Sequence, residues 1–333
     1  MKIILLFLGI AGASLGLLIL FLFRPLAHSP QPADFNCLST DSSDGEMISL
    51  KLLPVHIYGI GLSYKKHIEE TSSNFDPMLA PPVFIKHTRS LNQTSETVKI
   101  PSREEAMSML EGLEQGLGKR VDLEYKDFPL LIDYEVEMAF VLLEDVNWRE
   151  FFKNNDYMPK LGFFLANDIS SRALAILGEG MENRYDYWGA SKSFPGFLPV
   201  SSHMWVPNKL KAGSTVCTML TTKINGEIRQ NQSTMDQIYT PRQLIRFIAE
   251  KYPEELPQKG DIVLTGTPGG VAMHIPVWKV RLGELLSLDR FKKLKSSIRS
   301  NKNNKRFLKP GDVIEMSGGI LGSIRTTVVE SKG

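Results

Sequence analysis

The ten residues from Asp133 to Leu142, DYEVEMAFVL, constrain this chain more than any other stretch. Their alternation predicts a β-strand, because successive side chains of a strand point to opposite faces. Glu135 and Glu137 then share a face with Ala139 and Val141. A carboxylate turned towards an apolar interior is costly unless positive charge compensates it, and a divalent cation is the strongest compensation. The alternative is the solvated edge of a one-sided sheet, which the pattern alone does not exclude.

Length and charge narrow the possible function classes. With 333 residues, 42% of them hydrophobic, the chain can bury a sizeable core as one large domain or two small ones. The net charge of +2 conceals a basic tract at 279–309, which holds eleven Lys and Arg residues but only Glu284 and Asp289 as acids. The rest of the chain is mildly acidic, and the tract offers only Phe291 and Phe307 for stacking. We therefore expect no nucleic-acid partner.

The N-terminal segment predicts a membrane anchor. Ile3–Phe23 is uncharged and long enough to span a bilayer as a helix. We expect a transmembrane anchor at 1–28, a flexible linker at 29–49 that is rich in Pro, Ser, Asp and Gly, and one catalytic domain at 50–333. A cleaved signal peptide is the alternative. Lys2 beside the amino terminus favours a single-pass protein whose catalytic domain is periplasmic if the source is bacterial.

Local signals predict several secondary-structure elements. Ser102 followed by Glu105 is a capping box that opens a helix, and Thr240 before a proline opens another. Asn225-Gly226 is the two-residue turn of a β-hairpin. The two cysteines, Cys37 and Cys217, show neither zinc-site spacing nor a disulfide framework, and Cys217 lies in a run typical of a core strand.

Eight blocks then occur in a recognisable order. They are G-x-S-Y-x-x-H-x-x-E (Gly61–Glu70), P-V-F-I-K (Pro82–Lys86), D-Y-E-V-E (Asp133–Glu137), N-D-I-S-S-R (Asn167–Arg172), K-S-F (Lys192–Phe194), N-G-E-I-R-Q (Asn225–Gln230), T-G-T-P-G-G-V (Thr265–Val271) and L-K-P-G-D-V-I-E (Leu308–Glu315). From about Pro54 to Glu330 the chain resembles the fumarylacetoacetate hydrolase superfamily. The resemblance implies an α+β, mostly β fold, a mixed roll with a pseudo-barrel, in a protein that forms a homodimer.

The resemblance also implies the site residues. Glu135, Glu137 and Asp168 would hold Mg²⁺ or Mn²⁺, which suits a set of hard oxygen ligands. His67 and Glu70 would act as a proton-transfer pair on a lid, although H-x-x-E alone is a common surface spacing.

Four further positions match residues that contact substrate. Lys192 would neutralise charge on a substrate oxygen. Arg172, Gly266 and Thr267 match substrate-binding positions, whereas Ala173 and Ala175 replace the Asp and Gln usual in the family.

The implied activity is a metal-dependent hydrolase that cleaves a carbon–carbon bond in a small 2-oxo acid or 1,3-dicarbonyl acid, such as an acylpyruvate. A decarboxylase or isomerase on the same metal site is one alternative, and a non-catalytic membrane-anchored binding protein is another. The basic insertion at 279–309 has two interpretations. It is either an amphipathic helix that lies on anionic headgroups or a surface loop that caps the active-site side.

Overall fold

The computed structural model describes residues 31–70, 80–275 and 277–331. Within these ranges the chain forms a seven-stranded sheet, a five-stranded sheet and three short two-stranded pairs, with helices around them. The predicted α+β fold, rich in antiparallel strands, is confirmed.

The strands are short and occur throughout the described part of the chain. They are β1 (Asn36–Cys37), β2 (Gly45–Ser49), β3 (Ile57–Ile60), β4 (Val83–Lys86), β5 (Leu91–Asn92), β6 (Thr97–Lys99), β7 (Ile132–Asp133), β8 (Val136–Leu142), β9 (Leu161–Asn167), β10 (Ser170–Ser171), β11 (Leu198–Pro199), β12 (His203–Pro207), β13 (Ser214–Thr215), β14 (Met219–Ile224), β15 (Glu227–Ser233), β16 (Ile262–Leu264), β17 (Val313–Ser317) and β18 (Ser323–Val329).

The α-helices are also short. They are α1 (Lys65–Glu70), α2 (Arg103–Leu113), α3 (Leu117–Glu124), α4 (Trp148–Lys153), α5 (Arg172–Leu177), α6 (Arg184–Ser191), α7 (Pro241–Lys251), α8 (Val277–Leu285) and α9 (Arg290–Asn301).

The seven-stranded sheet holds the strand on which the sequence analysis began. Its order is β2-β12-β9-β8-β16-β3-β4, so β8 is the central strand, and every residue of β8 is buried. Val136, Met138 and Phe140 belong to one hydrophobic cluster, while Ala139 and Val141 belong to a second one on the other face. The predicted alternation is confirmed, and the solvated-edge alternative is wrong because both faces of β8 are covered.

Three local predictions are confirmed. Ser102 and Glu105 form the reciprocal capping box of α2, and Thr240 caps α7. Asn225 and Gly226 join β14 to β15 with φ values of +52° and +82°. Both residues therefore adopt the left-handed conformation that a tight hairpin turn requires. This hairpin forms the edge of the five-stranded sheet, whose order is β15-β14-β17-β18-β6.

The expected transmembrane helix is corrected. In the described ranges no helix is both long and apolar enough to cross a bilayer. The longest of them, α9, has 12 residues, whereas a span needs about 20. The segment Ile3–Phe23 on which the expectation was based lies outside the described residues. The fold class is accordingly α+β without that helix, and the membrane anchor, the membrane partner and the single-pass periplasmic location are withdrawn with it.

The part of the expected linker that the structure describes differs from a flexible tether. β2 pairs with β12 at the edge of the seven-stranded sheet, and β1 pairs with β13. Cys37 at the end of β1 forms a disulfide with Cys217, across a sequence separation of 180 residues. The expectation that the two cysteines form no disulfide framework was wrong. Their pairing depends on the contact between β1 and β13, which the spacing of the cysteines does not indicate.

Reduction of this disulfide should lower the free energy of unfolding by about 2–5 kcal/mol, because a long cross-link restricts the unfolded chain. Urea unfolding with and without reductant measures the difference. The chain has only these two cysteines, so the reductant acts on no other bond. A Cys37→Ser/Cys217→Ser variant that matches the oxidised protein in unfolding midpoint would contradict the prediction.

Candidate active site

A cavity of about 440 Å³ joins most of the residues singled out in the sequence. Its inner end is lined by Glu135, Glu137 and Asp168, and its outer end by α9. The cavity therefore extends from the centre of the seven-stranded sheet to the basic insertion.

The three carboxylates converge because two neighbouring strands bring them together. β8 and β9 are antiparallel, and Glu137 on β8 is opposite Ala166 on β9. Glu135 precedes β8 and Asp168 follows β9, so all three lie at the same end of the strand pair. Their oxygen atoms come within 4.8 Å of one another, and all three side chains are buried.

Two buried lysines compensate part of this negative charge. Nζ of Lys192 lies 2.8 Å from Oε2 of Glu135 and 2.7 Å from Oδ2 of Asp168. Nζ of Lys86 lies 2.5 Å from the other oxygen of Asp168 and also donates to the carbonyl of Phe197. Lys192 follows directly after α6, whose last turn ends at this point.

Arg172 and Asp133 support the same cluster from its other side. Nη2 of Arg172 lies 2.7 Å from Oε1 of Glu135, and its Nε donates to Asp133. Asp133 is fully buried and also accepts hydrogen bonds from the backbone N–H groups of Ala272 and Met273. Asp133 thus fixes both the arginine and the segment that leads into the insertion.

Charge and burial shift the pKa values of Glu135 and Glu137 in opposite directions. Burial opposes ionisation of Glu135, but Lys192 and Arg172 lower its pKa to about 2. Burial, together with the charges of Asp168 and Glu135, raises the pKa of Glu137 well above its usual range. These effects favour the protonated form of Glu137, and a cation at this site would favour loss of that proton.

The donor set fits a divalent cation such as Mg²⁺ or Mn²⁺. It offers carboxylate oxygens only, the ligands that hard cations prefer. Glu137 accepts a hydrogen bond from the N–H of Gly266 through one oxygen, at 2.8 Å. Glu135, Glu137 and Asp168 would hold the ion, while Lys192 and Arg172 would fix two of the ligands.

His67 and Glu70 lie on α1, but they have different surroundings. His67 is buried and lines the cavity, and burial lowers the pKa of its imidazole to about 4. The ring is therefore neutral at pH 7 and can accept a proton. Glu70 accepts a hydrogen bond from the N–H of Gly270 at 2.7 Å, which joins α1 to the glycine loop at 266–270.

Thr267 lines the cavity, and the preceding Gly266 contacts Glu137 through its backbone N–H. The Thr267 hydroxyl donates to the carbonyl of Val136 at 3.0 Å and accepts from Gln230. Gly266 has a φ of +93°, and a Cβ there would lie 1.9 Å from Oγ of Ser63. Only glycine fits this position, because any side chain would meet both backbone strain and collision.

Gly266→Ala is expected to lower the free energy of unfolding by about 1–3 kcal/mol and to weaken metal binding, because its N–H holds Glu137. Gly311→Ala is the matched control, since Gly311 has the same φ of +93° but nothing within 4 Å of the added Cβ. Chemical unfolding and metal titration of both variants separate the two effects, because Gly311→Ala introduces backbone strain alone and Gly266→Ala introduces backbone strain and a collision. Equal losses in the two variants would contradict the role assigned to the crowded position.

One member of the cluster, Lys86, was not predicted from the sequence. Lys86 ends the block P-V-F-I-K, and that block was the available signal, but a lysine in a short strand gives no sign of its burial. Asp133 shares a strand face with Glu135 and Glu137 but lies outside their E-x-E motif, and it supports the cluster through Arg172. Lys192 and Arg172 both line the cavity and contact Glu135, and their roles toward substrate stay predictions.

Comparisons with known proteins agree with this fold. The family model described as fumarylacetoacetate (FAA) hydrolase, C-terminal, matches residues 56–329. An uncharacterised protein of Methanocaldococcus jannaschii is 26% identical over 253 residues, which cover 75% of this chain and 87% of that protein. Oxaloacetate tautomerase YisK of Bacillus subtilis is 27% identical, over 74% of this chain and 72% of its own. A crystal structure described as an HpcE protein of Mycobacterium smegmatis shares the fold, with a TM-score of 0.54 and 22% identity over 84% of this chain and 76% of that one.

Proposed function

Because the chain belongs to the fumarylacetoacetate hydrolase family, we propose that it is a metal-dependent enzyme that hydrolyses a carbon–carbon bond in a small 2-oxo acid of the acylpyruvate type. One observation carries the proposal. The buried carboxylates Glu135, Glu137 and Asp168 share one cavity with His67 and Lys192. Cation ligands, a neutral base and a fixed positive charge are the groups that enolate chemistry requires.

A divalent cation at the three carboxylates would act as a Lewis acid that draws negative charge from the oxygens of the 2-oxo acid. Lys192 adds a positive charge beside the same oxygens. Its pKa is raised by Asp168 and Glu135 although burial opposes this, so it stays protonated. Arg172 keeps Glu135 ionised and faces the cavity from α5.

His67 supplies the base. The neutral imidazole takes a proton from water, whose oxygen adds to the acyl carbon of the substrate. The bond between that carbon and the methylene group breaks, and its electron pair forms the enolate of pyruvate. The proton held by His67 then passes to the enolate carbon. One water is consumed, and the products are a carboxylic acid and pyruvate.

Keto–enol tautomerisation of oxaloacetate is a second candidate, favoured by the name of the Bacillus subtilis relative. It passes through the enolate of oxaloacetate itself, by proton transfer at the carbon beside the keto group, with no carbon–carbon bond broken and without water as a reactant. The same residues support both reactions, since His67 carries the proton in each case.

The decisive experiment is a substrate panel of acylpyruvates and oxaloacetate, assayed with Mg²⁺ or Mn²⁺ and again with a chelator. Release of two acids from an acylpyruvate, lost on chelation, supports hydrolysis. Metal-dependent interconversion of oxaloacetate without net products supports the tautomerase. Turnover that persists with the chelator would contradict both.

The homodimer is also a proposal, supported by the family resemblance. Light scattering on the purified protein should give twice the chain mass of 37.4 kDa. A mass equal to one chain would contradict it.

A further inference from the structure

The basic insertion builds one wall of the active-site cavity. Helices α8 and α9 both lie in it, and Lys279, Leu288 and Lys293 line the same cavity as the metal-site carboxylates. Of the two interpretations of this segment, the position over the active-site side agrees with the structure, although the segment forms helices and not a loop.

The wall is anchored to the body of the protein. Arg290 at the start of α9 contacts both carboxylate oxygens of Glu114, at 2.6 and 2.7 Å. The ring of the next residue, Phe291, lies under the guanidinium of Arg120 at 3.6 Å. After α9, Arg306 donates to the carbonyl of Gly270 in the glycine loop. Such contacts fix α9 in position beside the site.

Helix α9 turns two different faces to the protein. Phe291, Leu294 and Ile298 follow helical spacing and pack into the hydrophobic core. The second face lines the cavity and is polar, with Lys293, Ser296, Ser297, Ser300 and Asn301. A helix that served only to close the cavity would be expected to present apolar side chains to it, so a polar second face indicates a polar ligand.

Several polar groups on this wall have capacity for a ligand. Lys293 is half-buried and forms no ion pair with any residue that the structure describes. Ser297, one turn further along, is 9% exposed, and its buried hydroxyl has no hydrogen-bond partner in the described parts of the chain. Lys279 on α8 donates to Ser300 at 3.0 Å. Glu179 is the only acid among the described residues that line this outer half, so positive charge prevails there.

Between the two charged ends the cavity is apolar. Ala175, Ile176, Met273, Ile275 and Leu288 line this middle part. Ala175 is one of the positions where the family usually has a larger polar residue, so the passage is open and non-polar. The volume of about 440 Å³ lies in the range of about 300–1,000 Å³ that drug-sized ligands occupy. An acid as small as oxaloacetate would leave the outer half unfilled.

We propose that α8 and α9 form a second substrate subsite, which selects an elongated 2-oxo acid with an apolar middle and a distal anionic oxygen group. Lys293 and Lys279 would bind that group, with the Ser297 hydroxyl as a further donor. The distal group is a carboxylate or a phosphate, since both present the same charged oxygens. This inference rests on the proposed function for the identity of the 2-oxo end.

The test compares acylpyruvates of equal chain length that end in a carboxylate, a phosphate or a methyl group. The wild type should give the highest kcat/KM with one of the two anionic ends, and that arm identifies the group. Lys293→Met should lower kcat/KM for that substrate about 10- to 100-fold, the loss expected for one charge-assisted hydrogen bond. In Lys293→Met, kcat/KM for the methyl-ended substrate and for the shortest acylpyruvate should change by less than about twofold, because neither makes this hydrogen bond.

Lys295→Met is the matched control, because Lys295 lies on the same helix, is exposed and is absent from the cavity lining. It should behave as the wild type with every substrate. Equal behaviour of Lys293→Met and Lys295→Met, or a loss in Lys293→Met that is the same for anionic and methyl ends, would overturn the subsite.

Calorimetric titration of the same acids with Mg²⁺ present separates this inference from the proposed reaction. Binding that depends on the anionic end and on Lys293, without turnover, supports the subsite and overturns the reaction. Turnover of short acids without preference for an anionic end supports the reaction and overturns the subsite. If no elongated acid binds, the subsite is overturned.

Discussion

Glu137→Gln is expected to weaken binding of Mg²⁺ or Mn²⁺ by at least about 100-fold, since even residues that only orient a metal ligand commonly contribute 10- to 100-fold. The amide keeps the size of the side chain and can still accept the hydrogen bond from Gly266. In the absence of a cation the neutral form of Glu137 is favoured, because burial and the neighbouring Asp168 and Glu135 raise its pKa. Replacement by a neutral amide should therefore leave the fold intact while a charged ligand is lost.

Calorimetric titration with each metal measures this effect on the purified protein. Glu315→Gln makes the same chemical change at an exposed carboxylate on β17 and should bind metal as the wild type does. Thermal unfolding of both variants confirms that they are folded. Unchanged metal affinity in Glu137→Gln would exclude the triad as the cation site.

His67→Ala should lower kcat by about 10²- to 10⁴-fold, the usual contribution of a general base. The imidazole is neutral at pH 7 because burial lowers its pKa to about 4. Metal affinity should change little, since the three carboxylates remain. The measurement is kcat with the best substrate of the panel, combined with a metal titration of the same variant.

Two variants sharpen the assignment of His67. His203→Ala removes an exposed imidazole and should keep the wild-type rate. Glu70→Ala should lower activity through the glycine loop, because Glu70 accepts the hydrogen bond from Gly270 and alanine has no acceptor there. A wild-type rate in His67→Ala would exclude this residue as the base.

The sequence predicted the parts of this site that depend on local pattern. Alternation along 133–142 indicated a strand with Glu135 and Glu137 on one face, but it did not exclude that this face was solvated; the two hydrophobic clusters of the structure exclude it. Asp168 followed from the family block that ends β9. The caps at Ser102 and Thr240 and the turn at Asn225-Gly226 are also local signals, because each depends on residues within a few positions.

The parts that were missed depend on contacts between distant segments. The disulfide needs β1 to lie beside β13, and no spacing rule gives that. The burial of Lys86 follows from its neighbours Asp168 and Phe197, which are 82 and 111 residues away. The insertion showed its charge in the sequence, but the polar face of α9 acquires a function only where it meets the cavity.

The sequence also did not predict the length of the proposed substrate. Ala175 was recognised as a departure from the family, yet its effect depends on the residues across the cavity, Met273 and Leu288. The sequence therefore indicated the type of chemistry near the carboxylates and left the length of the substrate open.

The disulfide gives the chain an unusual covalent layout. Residues 37–217 form a closed ring, and the segment after 217 is a tail attached to it. His67, Lys192 and the three carboxylates all lie on the ring, whereas the glycine loop and α9 lie on the tail. A single cut in the ring leaves one molecule on a non-reducing gel, but a cut after 217 releases a fragment.

This layout divides the chemistry from the selection of substrate. The ring carries the groups that would transfer protons and hold a cation. The tail carries α8 and α9, which would bind the distal end of the substrate. Exchange of the stretch between the glycine loop and β17 with that of a relative would thus change the substrate specificity without changing the sequence of the cross-linked ring, provided that its contacts with Asp133 and Glu114 are kept. Related chains could diverge in substrate by changing this one tail segment.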